Sequence, residues 1–210
     1  MLILPSAYLP PVQYFVHLYR GGGCIVEQHE HYLKQTYRNR CVIDSPNGPL
    51  PLTIPVDKGT GGKCLMKDVR ISDHGNWRHL HWQALVASYY NSPFFEYYQD
   101  DFRPFYERKW EFLVDFNDAV LQKCCELIDI QPEVVRSDSY VKIDDGVDYR
   151  VLLSPKTPVE MDDLFVSTPY YQVFQHKHGF LPNLSIADLI FNMGPESVLV
   201  LQSSIADSKI

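Results

Sequence analysis

The chain has 210 residues, of which 45% are hydrophobic and 21% charged. That is enough apolar side chain for one large core and too much for intrinsic disorder. The formal net charge is −7, and the nearest things to basic runs, Arg38-Asn39-Arg40 and Arg103 to Lys109, are interrupted by neutral or acidic residues, so nucleic acid is not expected as a partner.

Read in chain order, the first residues up to Leu4 suggest a short buried strand ended by Pro5. Pro10-Pro11 suits a helix start, because proline lacks the N–H that a first turn leaves unpaired. That helix is predicted from Pro11 to Arg20, stopped by Gly21-Gly22-Gly23, with a second strand over Cys24 to Gln28. The opening is thus β-α-β. Tyr37 to Ile43 and Leu50 to Val56 read as strands around the turn Ser45-Pro46-Asn47-Gly48. With a short strand at Asp68 to Ile71, they are expected to form an antiparallel meander.

A helical block follows. Asn76 is the expected cap of a helix whose apolar side carries Trp77, Leu80, His81, Ala84, Leu85, Ser88 and Tyr89, a spacing of three and four. Further helices are predicted over Phe94 to Tyr106 and from Trp110 to Ile128. Val134-Val135 suggests a strand and Ser137 to Asp148 a loop. Ser185 to Asn192 reads as a helix in which Ser185 and Asp188 have capping-box spacing, ended by Gly194-Pro195, with a last helix over Glu196 to Ser203.

Five cysteines, Cys24, Cys41, Cys64, Cys124 and Cys125, form no CxxC pair. They argue against a disulfide framework or a zinc ribbon and are expected to be reduced and mostly buried. The Met-Leu-Ile-Leu-Pro start lacks a basic segment and a long apolar one, and no run reaches the roughly 20 apolar residues of a membrane helix. The expected location is cytoplasmic, with no membrane span.

Several residue groups are candidates for chemistry. On a strand, Arg38 and Arg40 would share a face, and paired guanidinium groups hold phosphate or carboxylate; the alternative is a solvated strand face. Six of the eight histidines fall in His-x-His pairs, His29/His31, His79/His81 and His176/His178. If the second strand extends far enough, Glu27, His29 and His31 line up as zinc ligands, but no third-ligand spacing supports a site, and neither metal nor cofactor is expected. His81 on the apolar stripe of its helix reads either as a buried neutral histidine or as a general base in a cleft. Asp188 reads as a cap partner or a catalytic acid, and Asn192 as a polar residue near a helix end. Gly59-Thr60-Gly61-Gly62-Lys63 is followed by Cys64, departs from a phosphate-binding loop and reads as a hairpin loop. Tyr89-Tyr90, Phe94-Phe95 and Tyr97-Tyr98 read as core or as a stacking surface for sugars or bases.

Four segments together resemble the WbqC-like protein family in order and type. They are Tyr8-Leu9-Pro10 with Gln13-Tyr14-Phe15; Tyr37 to Arg40 with Ser45 to Gly48 and Leu52 to Val56; Trp77 to His81 with Tyr89, Ser92 to Phe95 and Leu113 to Asn117; and Tyr171-Gln172 with Phe180 to Asn192 and Gly194-Pro195. The resemblance spans nearly the whole chain apart from Ser137 to Thr168. Many members carry His-Gln-Pro-Asn before the Tyr-Leu-Pro, where this chain reads Leu4-Pro5-Ser6-Ala7, and Gln-Asn-Arg where it reads Arg38-Asn39-Arg40. The resemblance implies a transferase of surface-polysaccharide biosynthesis, with aminoacyl (glycine) transfer to an activated sugar suggested for some members.

On these grounds one α/β or α+β domain is expected over 1–203, with a mixed, partly antiparallel sheet, packed helices and a polar tail at 204–210. The candidate site joins His81 and Asp188 as catalytic groups to Tyr8, Asn39, Arg40, Asn117, Gln172 and Asn192 as binding groups for an anionic small molecule. Its expected place is where Tyr8, the Asn39-Arg40 strand and the His81 helix meet. A non-catalytic binding or assembly protein of the same fold, and a metal-dependent hydrolase, are the alternatives.

Overall fold

The computed structural model describes residues 2–57, 63–144 and 147–206. The expected hairpin loop at Gly59 to Lys63 falls, apart from Lys63, outside the described residues. Strand β1 (Leu2–Pro5), helix α1 (Val12–Gly21) and strand β2 (Gly23–Glu27) form the predicted β-α-β unit. The two strands are parallel, with Leu4 paired to Val26. Pro11 precedes the first helical turn, and Gly22, at φ 66°, takes the left-handed position that ends it. Strand β7 (Glu133–Arg136), over the predicted Val134-Val135, adds in parallel to β2 and gives the order β1-β2-β7.

The expected meander is instead two separate hairpins. Strands β3 (Arg40–Ile43) and β4 (Leu50–Thr53) pair antiparallel. Strands β5 (Val56–Asp57) and β6 (Arg70–Ile71) form a second, smaller pair. The Ser45–Gly48 turn closes the first hairpin, with the Gly48 N–H donating to the Ser45 carbonyl. The strand starts at Arg40 rather than Tyr37 because residues 37–39 serve other partners. The Tyr37 carbonyl accepts from the Tyr8 N–H, and the Asn39 side chain donates to the Ile54 carbonyl.

Helices α2 (Trp77–Tyr89), α3 (Phe95–Glu107) and α4 (Leu113–Leu127) fall close to their predicted places. Within α2 the stripe is buried at Trp77, His81, Leu85, Ser88 and Tyr89, whereas Leu80 is exposed. Asn76 takes a left-handed conformation and its side chain caps nothing, a departure from the expected cap. The remaining helices are α5 (Tyr149–Leu152), α6 (Gln175–His178), α7 (Ile186–Met193) and α8 (Ser197–Ser203). Helix α7 is the core element, buried from Ile186 through Asn192. Its Phe191 ring lies 4.9–5.1 Å from those of Tyr89, Phe95 and Phe102, which joins α2, α3 and α7 in one aromatic cluster.

The result is a single mixed α/β domain, as expected. None of the five cysteines is in a disulfide, and all but Cys64 are buried. Among the described residues no helix is long and apolar enough to cross a membrane. The expected polar tail begins inside the fold: Ser204 is buried, and the Val166 N–H donates to its carbonyl.

Gly194 fixes how α7 hands over to α8. It sits at φ 53°, and a Cβ there would lie 2.5 Å from the Phe94 ring. Gly194→Ala is therefore expected to destabilise the protein by about 2 kcal/mol through overpacking and left-handed strain. Urea denaturation measures this, and an unchanged midpoint would contradict the packing described.

Candidate functional site

Arg38 and Arg40 do not share a face, because Arg38 precedes the strand. Arg38 is buried and two-pronged on Glu30, with Nε to Oε1 at 2.8 Å and Nη2 to Oε2 at 2.6 Å. Arg40 stands at the start of β3 and donates from Nε to Thr53 Oγ1 across the hairpin. It lines a cleft of about 710 Å³ together with Lys34, Asn39, Tyr32, Thr53 and Asp57. Two cations face one carboxylate there, so the cleft suits an anion. Tyr32 forms part of its wall. Burial pushes the Tyr32 phenol up to about 12 against the opposing pull of the Arg38 and Arg40 charges.

Beneath the hairpin lies the predicted Tyr8–His81 meeting point. The Tyr8 hydroxyl is 3.0 Å from His81 Nδ1 and 2.9 Å from the Tyr106 hydroxyl. The imidazole also bonds to the Thr53 backbone carbonyl, and burial depresses its pKa to about 4. The neutral tautomer that suits both bonds donates to Thr53 and accepts from Tyr8. Thr53 therefore links the layers, with its carbonyl toward His81 and its hydroxyl toward Arg40. His81 itself is 5% exposed, so the imidazole supports the floor of the cleft from below. Asn39 spends its Nδ2 on Ile54. Asn117 donates to Ser6 Oγ and the Arg38 carbonyl, drawing the segment after β1 against the Arg38 loop. The Oδ1 atoms of Asn39 and Asn117 are buried acceptors with no partner among the described residues.

Asp188 lies in a second centre with Gln172 and Asn192. The capping-box reading of Asp188 is overturned. Ser185 does cap α7, accepting from the Ala187 N–H. The Asp188 carboxylate instead turns inward and accepts from Tyr89 at 2.8 Å, Tyr170 at 2.6 Å and Gln172 at 3.1 Å. Burial raises its pKa to about 6, with hydrogen bonds from Tyr170 and Tyr89 opposing and the Asp44 charge adding. Asn192 Nδ2 donates to the Asp188 carbonyl one turn back. Sequence reasoning missed Asp44, a buried carboxylate 3.0 Å from His178 Nε2, and Lys34; only the His176-Lys177-His178 run hinted at the former.

The supposed zinc ligands do not line up. Strand β2 ends at Glu27, so His29 and His31 leave its face. The Glu27 carboxylate accepts from the His29 N–H, Ser137 Oγ and the Val141 N–H. Among the described residues no group of three His, Cys, Asp or Glu side chains is arranged to hold a metal ion.

The chain belongs to the WbqC-like protein family, whose model matches residues 6–157. That match takes in Tyr8, Asn39, Arg40, His81 and Asn117, and it ends before Gln172, Asp188 and Asn192. The stretch after Ser137, left out of the resemblance drawn from motifs, lies largely inside it. A Mycobacterium tuberculosis protein described as uncharacterized protein Rv1507c is 25% identical over 219 residues, covering 93% of this chain and 94% of that one. No solved structure matches.

The two perturbed groups act oppositely on stability. Folded Asp188 holds a proton that the unfolded chain releases between pH about 4 and 6, so its contribution grows as pH falls through that range. Folded His81 refuses a proton that the unfolded chain takes between pH 6.5 and about 4, so its contribution is lost over nearly the same range. Each is worth about 3 kcal/mol at full extent, and they offset one another. Asp188→Asn is expected to lose stability toward acid more steeply than the parent, and His81→Gln less steeply. Urea unfolding from pH 7.5 to 4.5, on a scale set by these pKa values, decides it; parallel curves for all three proteins would refute both assignments.

Proposed function

We propose that this protein is a transferase of surface-polysaccharide biosynthesis that binds an anionic substrate at the Arg40 cleft and moves an aminoacyl group onto an activated sugar. The observation that carries the reading is the convergence of Arg40, Lys34 and Asn39 on one open cleft above the Tyr8–His81–Thr53 chain. Arg40 and Lys34 supply charge-assisted donors for a phosphate or carboxylate. Asn39, whose amide nitrogen donates to the Ile54 carbonyl, shapes the cleft wall beside Arg40. Tyr8 and Asn117 position the floor of this cleft. Among the described residues the cleft holds no cysteine or serine, and its Thr53 hydroxyl accepts from Arg40 rather than from an activating base, so direct transfer is favoured over a covalent intermediate. The acting location under this reading is the cytoplasm, where activated sugars are made.

His81 enters the reading as the proton-handling group beneath the cleft, bonded to Tyr8 and to the Thr53 carbonyl. Its low pKa makes it a weak base, and Asp188, ionising near pH 6 in the neighbouring centre, is the other candidate acid. Gln172 and Asn192 act on Asp188, the first through its carboxylate and the second through its backbone carbonyl.

One observation favours a second reading, a non-catalytic binding protein of the same fold. Leu4 stands where relatives' histidine is expected and is wholly buried in the core. In this chain that position supports packing rather than a reaction.

A thermal-shift screen of nucleotide sugars, sugar phosphates and aminoacyl donors tests the reading, since a ligand bound only by the folded state raises the melting temperature. An anionic ligand is expected to stabilise the parent and to lose about ten-fold or more in affinity in Arg40→Ala. An equal shift in Arg40→Ala would remove the cleft from the site. Turnover kept in full by a folded His81→Gln would leave that residue a purely structural part.

A further inference from the structure

We propose that a second pocket, outside the carboxyl ends of β2 and β7, binds an uncharged sugar ring. It is about 530 Å³ in volume and is separated from the Arg40 cleft by the segment that carries Tyr32. In open parallel sheets the space beyond the carboxyl ends of the strands is the usual place for a ligand. Here that space is walled by the loop after β2, the loop after β7 and helix α5.

The walls are built rather than incidental. Glu27, fully buried at the end of β2, accepts from the His29 N–H, Ser137 Oγ and the Val141 N–H, and so ties both loops to the sheet. Arg150 of α5 is buried, two-pronged on Asp148 at 2.9 Å for both contacts, and donates to the Val141 carbonyl. Arg38 and Glu30 form a second pair of the lining, buried at both ends. Buried ion pairs add little to net stability. One such pair, Arg38–Glu30, and a second, Arg150–Asp148, whose arginine alone is buried, face one cavity and are better explained as a rigid polar floor than as packing.

The mouth is apolar. Leu33, Tyr140 and Val151 come from three separate segments, are 51%, 52% and 65% exposed, and all line this cavity. Large apolar side chains gathered at one opening mark a binding surface. The Tyr140 ring is held over the Arg150 guanidinium, 5.0 Å from its centroid, so one face of an aromatic platform is already fixed. His29 and His31 bring hydrogen-bonding imidazoles to the same lining.

Charge selects the ligand class. Arg38 and Arg150 are each matched by a carboxylate, Glu30 and Asp148, whereas the Arg40 cleft holds two cations against Asp57. Among the described residues the balanced pocket has no surplus arginine or lysine for a phosphate. An aromatic and aliphatic surface set among planar hydrogen-bonding side chains suits a ring that is apolar on its faces and hydroxylated at its edge. That description fits a neutral hexose or N-acetylhexosamine. The proposal stands apart from the anionic role of the Arg40 cleft and does not need it.

Saturation-transfer NMR on the full chain, with methyl glycosides of neutral hexoses and N-acetylhexosamines as probes and inorganic phosphate as the charged control, tests it. At least one glycoside is expected to bind saturably, to lose about ten-fold or more in affinity in Tyr140→Ala, and to be retained in Tyr140→Phe and Arg40→Ala. His31→Ala serves as a second rim variant and is expected to weaken the same glycoside. Melting temperatures identify any variant that fails to fold. No binding by any probe, equal binding by folded Tyr140→Ala and His31→Ala, or competition by phosphate at this pocket would each overturn the proposal. Loss of anion binding in Arg40→Ala with glycoside binding intact would separate the two clefts.

Discussion

Asp188 is sealed from water and still accepts three side-chain hydrogen bonds, from Tyr89, Tyr170 and Gln172. Those donors come from α2 and from the long irregular segment before α6. One carboxylate therefore fixes the core helix α7 against two distant parts of the chain. Removing such an acceptor would strand its donors in a dry interior, which costs more than the bonds themselves contribute. The same device recurs. Asp162 receives Gln13 and His17 of α1, Glu27 receives the loop after β7, and Glu30 receives Arg38. Much of this chain lies outside helices and strands, and its backbone must still be held. Buried acids do that holding, and the strong aromatic clustering around Phe191 supplies the apolar contacts that surround them.

This arrangement also determines where ligands can be met. The loop from Gln28 to Asn39 leaves the sheet at Glu27 and rejoins regular structure only at Arg40. On one side of it Arg38 closes onto Glu30; on the other Arg40 and Lys34 stay open to the cleft. Tyr32 lines the cleft and feels the charge of both guanidinium groups. Two neighbouring arginines thus acquire different work, one neutralised in a floor and one available to an anion. The proposed transfer reaction would use two adjacent compartments of different chemistry, and this loop lines both.

Much of the fold was legible in the sequence because its signals are local. The β-α-β opening followed from Pro10-Pro11 and the triple glycine, the first hairpin from Ser45 to Gly48, and α2 from the spacing of Trp77, His81, Leu85 and Tyr89. What failed did so where a distant partner outcompeted the local rule. Ser185 and Asp188 have capping-box spacing, but Tyr89 is 99 residues away and takes the carboxylate. Glu27, His29 and His31 alternate like ligands on a strand, but Ser137, 110 residues on, ends that alternation by claiming Glu27. Arg38 and Arg40 look equivalent by parity, but residues 37–39 serve other partners and the strand starts three residues later than expected. The meeting of Tyr8 with His81 was legible only through the family pattern, since no local feature joins positions 73 residues apart.

The segment after β1 shows how function and packing trade places in this chain. Leu4 is buried in the core, the Pro5 carbonyl accepts from the Tyr14 hydroxyl, and Ser6 accepts from Asn117. Each position of the altered opening motif that meets a partner meets one inside the fold. A polar histidine at Leu4 would have to find a hydrogen-bond partner among apolar neighbours or remain unsatisfied. A leucine there is therefore consistent with its surroundings, and under the proposed function the chemistry falls to groups that face a cleft. Arg40, Lys34 and Asn39 meet that condition at one opening, and His29, His31 and Tyr140 meet it at the other.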